Sequence, residues 1–260
     1  MGGGGTRARE RGSLTREEIV REALALLEEQ GPGSLSMRKV ADRVGVAPNA
    51  LYTHVRGKAD LVDALIDQVY AGLELDPDRS GDWREQLATL AVALRRHLLD
   101  YPALVPLALQ QPGLGPNSLR LGEEIYAILR PAGFPDHVVV GAVYAMLTYI
   151  LGFVALEIPR AGATPEDSDE FVRQMRAFFT TLPVSMLPHT VELAPLLARI
   201  STDDQFEQGM TIFLDGLASR QPSSGNNSGS ADAPVPEDRG ETVDRGRGVR
   251  GRRGAGDVRM

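Results

Sequence analysis

The chain contains no cysteine, so a disulfide, a thiolate metal site and a thiol nucleophile are all excluded. That absence suits a reducing cytoplasm, the expected location. No glycine-rich phosphate loop, no nucleophile elbow and no pair of histidines at metal-ligand spacing is found; the four histidines are His54, His97, His137 and His189. Nothing therefore points to an enzyme, and no cofactor or metal is expected. No basic-then-apolar leader opens the chain and no repeat of useful length recurs. No segment alternates with a period of two, which makes the fold class all-α. At 260 residues there is room for a small domain joined to a larger one.

What is present is concentrated between Ser36 and Lys58, SMRKVADRVGVAPNALYTHVRGK. Ser36 is a good N-cap, and Met37, Val40, Ala41 and Val44 recur at helical spacing behind it. Gly45 supplies a left-handed residue to end that helix, and Pro48 suits the first position of the next. Leu51 and Val55 point inward, leaving Asn49, Ala50, Tyr52, Thr53 and His54 to the outer faces. Short helix, glycine turn, short helix is the sequence form of a helix-turn-helix. A merely solvated helical hairpin is the competing reading, and charge argues against it. Five basic residues (Arg38, Lys39, Arg43, Arg56, Lys58) face two acids between Ser34 and Asp60, whereas residues 61–220 carry eleven basic and twenty-one acidic side chains. A basic patch kept on an acidic protein is suited to nucleic-acid phosphates.

The flanks read as helices. Thr15 and Glu18 form a capping-box pattern, Leu14 is placed to staple onto Ile19, and Gly31-Pro32-Gly33 stops the first helix. A further helix runs from Gly57-Lys58 to about Leu75, ended by Asp76-Pro77. Asp82 and Glu85 announce a helix ending near Asp100; Pro102 to Gln111 reads as a short helix, and Asn117 to Arg130 as one capped by Asn117. Pro165 to Thr181 and Asp203 to Arg220 are amphipathic, and Leu182 to Ser201, with three prolines, offers only a short helical possibility. The expected division is a disordered arm over 1–13, a helix-turn-helix domain over 14–60, a helical domain over 61–220 and a disordered tail over 221–260.

Val138 to Leu156 is nineteen residues without a charge, long enough to be weighed as a membrane span. It lacks a second candidate span and a flanking positive cluster, and a helix apolar all round can equally be buried within an assembly. Gly141, Ala145, Thr148, Gly152 and Ala155 form a small-residue stripe that admits a second helix closely, which supports pairing; the same pattern also serves membrane dimers, so it does not settle the solvent.

From Leu14 to about Leu73 the residues resemble the DNA-binding domain of the TetR family of repressors, most specifically in the L-Y-x-H-V-x-x-K run from Leu51 to Lys58. A weaker likeness to the tetracycline-repressor subgroup extends through Asp82-Trp83 and LGFVALE. The resemblance implies a soluble homodimer, with no membrane, on a palindromic double-stranded DNA operator, released by a small-molecule effector. Matching the motif puts Arg38, Pro48, Asn49, Ala50 and Thr53 at base edges and Ser36, Tyr52, His54 and Lys58 at phosphates. For His54, bonding within its own domain is an equal alternative. The implied dimer interface pairs the long apolar helix with the last one, through Phe206, Met210 and Phe213. The effector-pocket candidates are His97, Tyr101, Tyr126, Met146, Tyr149 and Phe153, with Met175 and Phe178 closing the cavity, each also readable as plain core. The subgroup holds its drug through a histidine-bound magnesium; here LLDYPALVPLA has no histidine, and Glu157 alone makes a poor site, so a largely apolar effector is expected instead. A regulator without a ligand, a membrane-anchored DNA-binding protein and an enzyme are the alternatives.

Overall fold

The computed structural model describes residues 14–74, 81–111, 113–160, 165–197 and 202–222. The arm over 1–13, Asp76-Pro77 and the tail from 223 onward lie outside them. Among the described residues every regular element is helical.

Helix α1 (Arg16–Gln30) starts where Thr15 Oγ1 accepts the Glu18 amide at 3.1 Å, and it buries Ile19, Val20, Ala23, Leu26 and Leu27. A 3-10 turn at Pro32–Ser34 leads into α2 (Met37–Val44), whose cap is Ser36 Oγ accepting the Lys39 amide. Gly45 closes α2 at φ 73°, a left-handed conformation that L side chains adopt only at a cost. Helix α3 (Pro48–Leu51) is a single turn and α4 (Lys58–Ala71) follows. Val40, Ala41, Val44, Leu51 and Val55 join the inner faces of α1 and α4 in one apolar core, together with Leu104.

A second core lies between α5 (Trp83–Leu99), α7 (Pro116–Leu129), α8 (Asp136–Glu157) and α11 (Thr202–Ala218), with α6 (Val105–Ala108) as a short connecting turn. Asp82 builds the expected capping box: its carboxylate accepts the Arg84 and Glu85 amides while Glu85 accepts the Asp82 amide. The expected Asn117 cap is not formed. Helix α7 begins at Pro116, and its first amides are taken by Asp67 from α4: Oδ1 accepts from Asn117 N at 2.8 Å and Ser118 N at 3.2 Å, and Oδ2 accepts from Asn117 Nδ2 at 2.9 Å. A residue fifty positions away does the capping. Helix α4 thus serves both cores, since Val62, Leu65, Ile66 and Val69 belong to the first while Asp67 holds α7 of the second.

The segment with three prolines does contain a helix, α10 (Pro188–Leu197), which packs mainly against α9 (Pro165–Thr180). Pro188 stands at its first position, where the missing amide costs nothing, and Pro195 falls in its last turn. Helix α8 is the one described element long and apolar enough to cross a membrane. Val139, Ala142, Val143, Met146, Ile150 and Val154 carry one side of it into the second core.

Candidate nucleic-acid interface and effector cleft

Burying Leu51 and Val55 turns the other face of α3 outward. Pro48, Asn49, Tyr52 and Thr53 stand exposed, with Ala50 and His54 half-buried beside them. Arg38 and Lys58 are exposed on α2 and at the first position of α4. All nine DNA candidates therefore reach the surface of one helix-turn-helix unit. Ser36 spends a lone pair on its cap, a bond that leaves its hydroxyl proton unused; the Thr53 hydroxyl donates to Ala50 O at 2.7 Å, leaving its oxygen lone pairs and methyl outward.

The basic patch is smaller than its count suggests. The Arg43 guanidinium is held by both oxygens of Glu29 at 2.6 Å and by Glu22 at 3.1 Å, so it fastens α2 to α1. The Glu29 hydrogen bonds, then Glu22, raise its pKa further above the ordinary value. A second fastening escaped the sequence reading. Asp60 pairs with Arg16 at 2.9 Å and accepts the Arg56 amide at 2.8 Å, while Arg16 also donates to the His54 carbonyl at 3.0 Å. The Arg16 bond, then that amide, hold the Asp60 carboxyl below its ordinary range. Turn 52–57, which carries two of the phosphate candidates, Tyr52 and His54, is thereby tied to the starts of α1 and α4. An acid in the first turn of α4 and an arginine opening α1 were the available signals.

The effector candidates do not form one pocket. His97 Nε2 lies 2.7 Å from the Val69 carbonyl and its ring leans on Tyr101 at 5.3 Å between centroids, joining α5 to the end of α4. Met146 is packed in the second core at 1 % exposure. Tyr149 and Phe153 surround Phe206, and the Tyr149 hydroxyl donates to the Phe206 carbonyl at 2.9 Å. Met175 and Phe178 sit on α9, which pairs with α10, and line none of the described clefts. Only Tyr126 lines the largest described cleft, about 630 Å³ between α4, α6, α7 and α8. Thr148, expected at the dimer stripe, lines it too, with Tyr70, Tyr144, Leu147 and Leu151.

On α5, Arg95 is nearly enclosed. Glu157 accepts from it at 2.8 and 2.6 Å, Asp203 lies 2.7 Å away, and the rings of Phe153 and Phe206 flank it at 5.6 and 4.9 Å. The Glu157 carboxylate is already neutralised within the chain, which removes the one acidic candidate for a magnesium site. Among the described residues no cluster of three or more metal-ligating side chains occurs.

The outer face of α8 carries the small-residue stripe: Gly141, Ala145 and Thr148 are exposed, Gly152 and Ala155 half-buried, and Val140, Tyr144 and Leu156 are 59, 76 and 74 % exposed among them. On α11 the expected interface residues face the other way. Phe206 and Met210 are buried in their own chain's core and Phe213 is half-buried against it, so the outward apolar residue is Ile212, next to Thr211 and Gly216.

A helix-turn-helix with a polar, small-residue face, carried on a larger helical bundle, defines a DNA-binding transcriptional regulator. Residues 19–65 match the family described as bacterial regulatory proteins, tetR family, and residues 76–221 the tetracyclin repressor-like C-terminal domain. The chain belongs to the TetR family. A helix-turn-helix-type transcriptional regulator of Saccharopolyspora erythraea is 39 % identical over 144 residues, an alignment spanning 55 % of this chain and 61 % of that protein. The transcriptional repressor DrrR1 of Streptomyces coeruleorubidus is 30 % identical over 79 % of this chain and 77 % of its own length. The crystal structure of the TetR family protein ActR from Streptomyces coelicolor, in complex with actinorhodin, superposes with a TM-score of 0.71 at 28 % identity, covering 80 % of this chain and 97 % of that one. These relatives are regulators, and the chain is a DNA-binding regulator with a ligand-binding type of C-terminal domain, not an enzyme.

Proposed function

We propose that the protein is a cytoplasmic repressor that grips a palindromic operator as a homodimer and is released when a small, largely apolar molecule enters the α4–α8 cleft. The observation that carries the reading is the outward α3 face, with Asn49 and Thr53 exposed over a buried Leu51. Asn49 pairs an adenine edge, Arg38 a guanine, and Ala50 and Thr53 offer methyl groups to thymine, with Pro48 packing beside them. Ser36, Tyr52, His54 and Lys58 hold phosphates and set the register. Residues 14–60 supply the DNA end and 61–220 the effector and dimer end, α4 linking the two.

Support for the dimer is the uncharged outer face of α8, an exposed apolar strip of the kind that marks an interaction surface. A carbon added at Gly141, Gly152 or Gly216 meets nothing within 4 Å in the single chain, leaving room for close approach of a copy. Leu156 and Ile212 replace Phe206 and Met210 as the large residues of that face, with Val140 and Tyr144 at its edge, where the cleft opens. A twofold pair places its two recognition helices about 34–36 Å apart, one turn of duplex. ActR's complex with actinorhodin supports a small-molecule effector for this chain as well.

Selection of bound duplexes from a random pool, repeated with candidate small molecules, tests this reading. An inverted repeat with half-sites one turn apart, and its loss from the bound fraction with an effector, is expected. Enrichment of a single half-site, or of none, contradicts it.

A further inference from the structure

We propose that the α4–α8 cleft takes an uncharged, ring-bearing molecule with a hydrogen-bonding oxygen, and that its occupancy reaches the DNA-binding end through the Asp67 cap of α7. The inference rests on the ligand response proposed above and names the ligand's chemistry and the route of coupling.

The first observation is the lining. Tyr70, Tyr126 and Tyr144, with Leu147 and Leu151, form its walls, and no lining residue is charged, although residues 61–220 are rich in acids. An ion entering such a space leaves its water without gaining a counter-charge, so the cleft selects against both anions and cations. Burial pushes the Tyr70 phenol above its ordinary pKa, which keeps that wall neutral. Flat aromatic walls about a space of roughly 630 Å³ suit fused rings.

The second observation is the floor. Ser118 lines the cleft, and its Oγ is buried with no hydrogen-bond partner. A hydroxyl withdrawn from water and left unpaired is costly, and an occupant bearing a carbonyl or hydroxyl relieves that cost. Gly113 lies directly on this floor: a carbon added there would fall 2.7 Å from both Ser118 Oγ and Ile66 Cγ2.

The third is what the floor touches. The Ser118 amide is one of the donors held by Asp67, and Ile66, the residue before Asp67, also lines the cleft. An occupant drawn onto Ser118 and pressed against Ile66 therefore acts on both sides of the α4–α7 joint at once. Helix α4 starts at Lys58, one of the proposed phosphate contacts, so a displaced joint disturbs the grip on DNA. Asp67 is a positioning residue in this scheme and Ser118 a binding residue.

The test uses the full chain, its selected operator, and three probes: a neutral dihydroxyanthraquinone, a sulfonated analogue and an ammonium-bearing analogue. Calorimetry should show the neutral probe binding and both charged ones at least about thirtyfold weaker. Ser118→Ala should weaken the neutral probe about tenfold without lowering the melting temperature, because it deletes an unpartnered hydroxyl; a purely structural serine would lose stability instead. Asp67→Asn should bind the neutral probe within about threefold of wild type yet lose most of the probe's effect on operator affinity. Asn117→Ala, which removes only one side-chain bond of the joint, should lose part of it with the fold intact. Equal binding of charged and neutral probes, no binding of the neutral probe, unchanged binding by Ser118→Ala, or full release in Asp67→Asn each overturns the proposal. Release of the operator by a compound that does not compete with the neutral probe overturns this assignment while the ligand response stands. Failure of every member of a broad panel to release the operator overturns the ligand response itself.

Discussion

Replacing Glu157 by glutamine removes one charge from an enclosed pair, and its cost follows from what remains. Arg95 and Glu157 are only 11 and 13 % exposed, and two aromatic rings cover the guanidinium. Removing one partner of a buried pair costs roughly 3–5 kcal/mol, because the other charge stays desolvated. Asp203 remains 2.7 Å away, but it is 79 % exposed, so water screens its compensation. The retained glutamine oxygen also accepts a hydrogen bond, which brings the expected loss to about 2–3 kcal/mol. For a protein of this size that lowers the melting temperature by roughly 4–12 °C. Urea unfolding at neutral pH, read together with thermal melts, measures it. The double change Arg95→Met with Glu157→Leu removes both charges and should lie within about 1 kcal/mol of wild type, since apolar replacement of a buried pair is often neutral or better. A Glu157→Gln loss under about 1 kcal/mol, or a double variant as damaged as the two single changes added together, would refute the reasoning.

Asp60 gives a pH prediction. Its folded pKa is depressed, chiefly by the Arg16 bond, so the stability it contributes is present above the ordinary value of 3.8 and is lost as pH falls through the lower folded value. Unfolding free energies measured down an acid series should show this loss in wild type and a flatter profile in Asp60→Asn. Leu51→Ala empties a fully buried position and should cost about 2–5 kcal/mol and abolish operator binding, because α3 has only one turn to hold its face outward. Gly45→Ala meets no atom within 4 Å but must hold φ 73°, so thermal melts should show a loss of about 1–2 kcal/mol from backbone strain alone. Lys58→Ala should weaken all duplexes evenly and reduce the salt slope by about one, whereas Asn49→Ala should relax base choice at one operator position; the same sequence profile for both would show their roles are not separate.

Local chemistry carried most of the fold. Thr15, Ser36, Gly45 and Asp82 act on amides or carbonyls within a few residues, so their caps were legible in the sequence. Asn117 looked like a cap by the same logic, but Asp67 arrives from another helix and takes the amides first. The prolines over 182–201 concealed α10: Pro188 fits a helix start, but Pro195 lies inside the helix and lacks the amide that would bond back to Val191, so the spacing argued against an element there. Helix α11 has apolar residues on more than one side, and spacing alone gives no sign of which side meets the chain's own core; that is why Phe206 and Met210 prove to be buried and Ile212 outward. Arg43 counted as a free base until Glu22 and Glu29 were brought to it by the packing of α1 on α2. The outward placement of the DNA candidates was readable because one short motif carries all nine, whereas the cleft gathers residues from four helices and, of the effector candidates, only Tyr126 lines it.

Sedimentation of the purified chain, alone and with its selected duplex at low salt, is the most direct measurement. Two chains alone, and two on one duplex whose protected half-sites lie a helical turn apart, are predicted. A monomer that stays apart from every duplex offered would contradict the account.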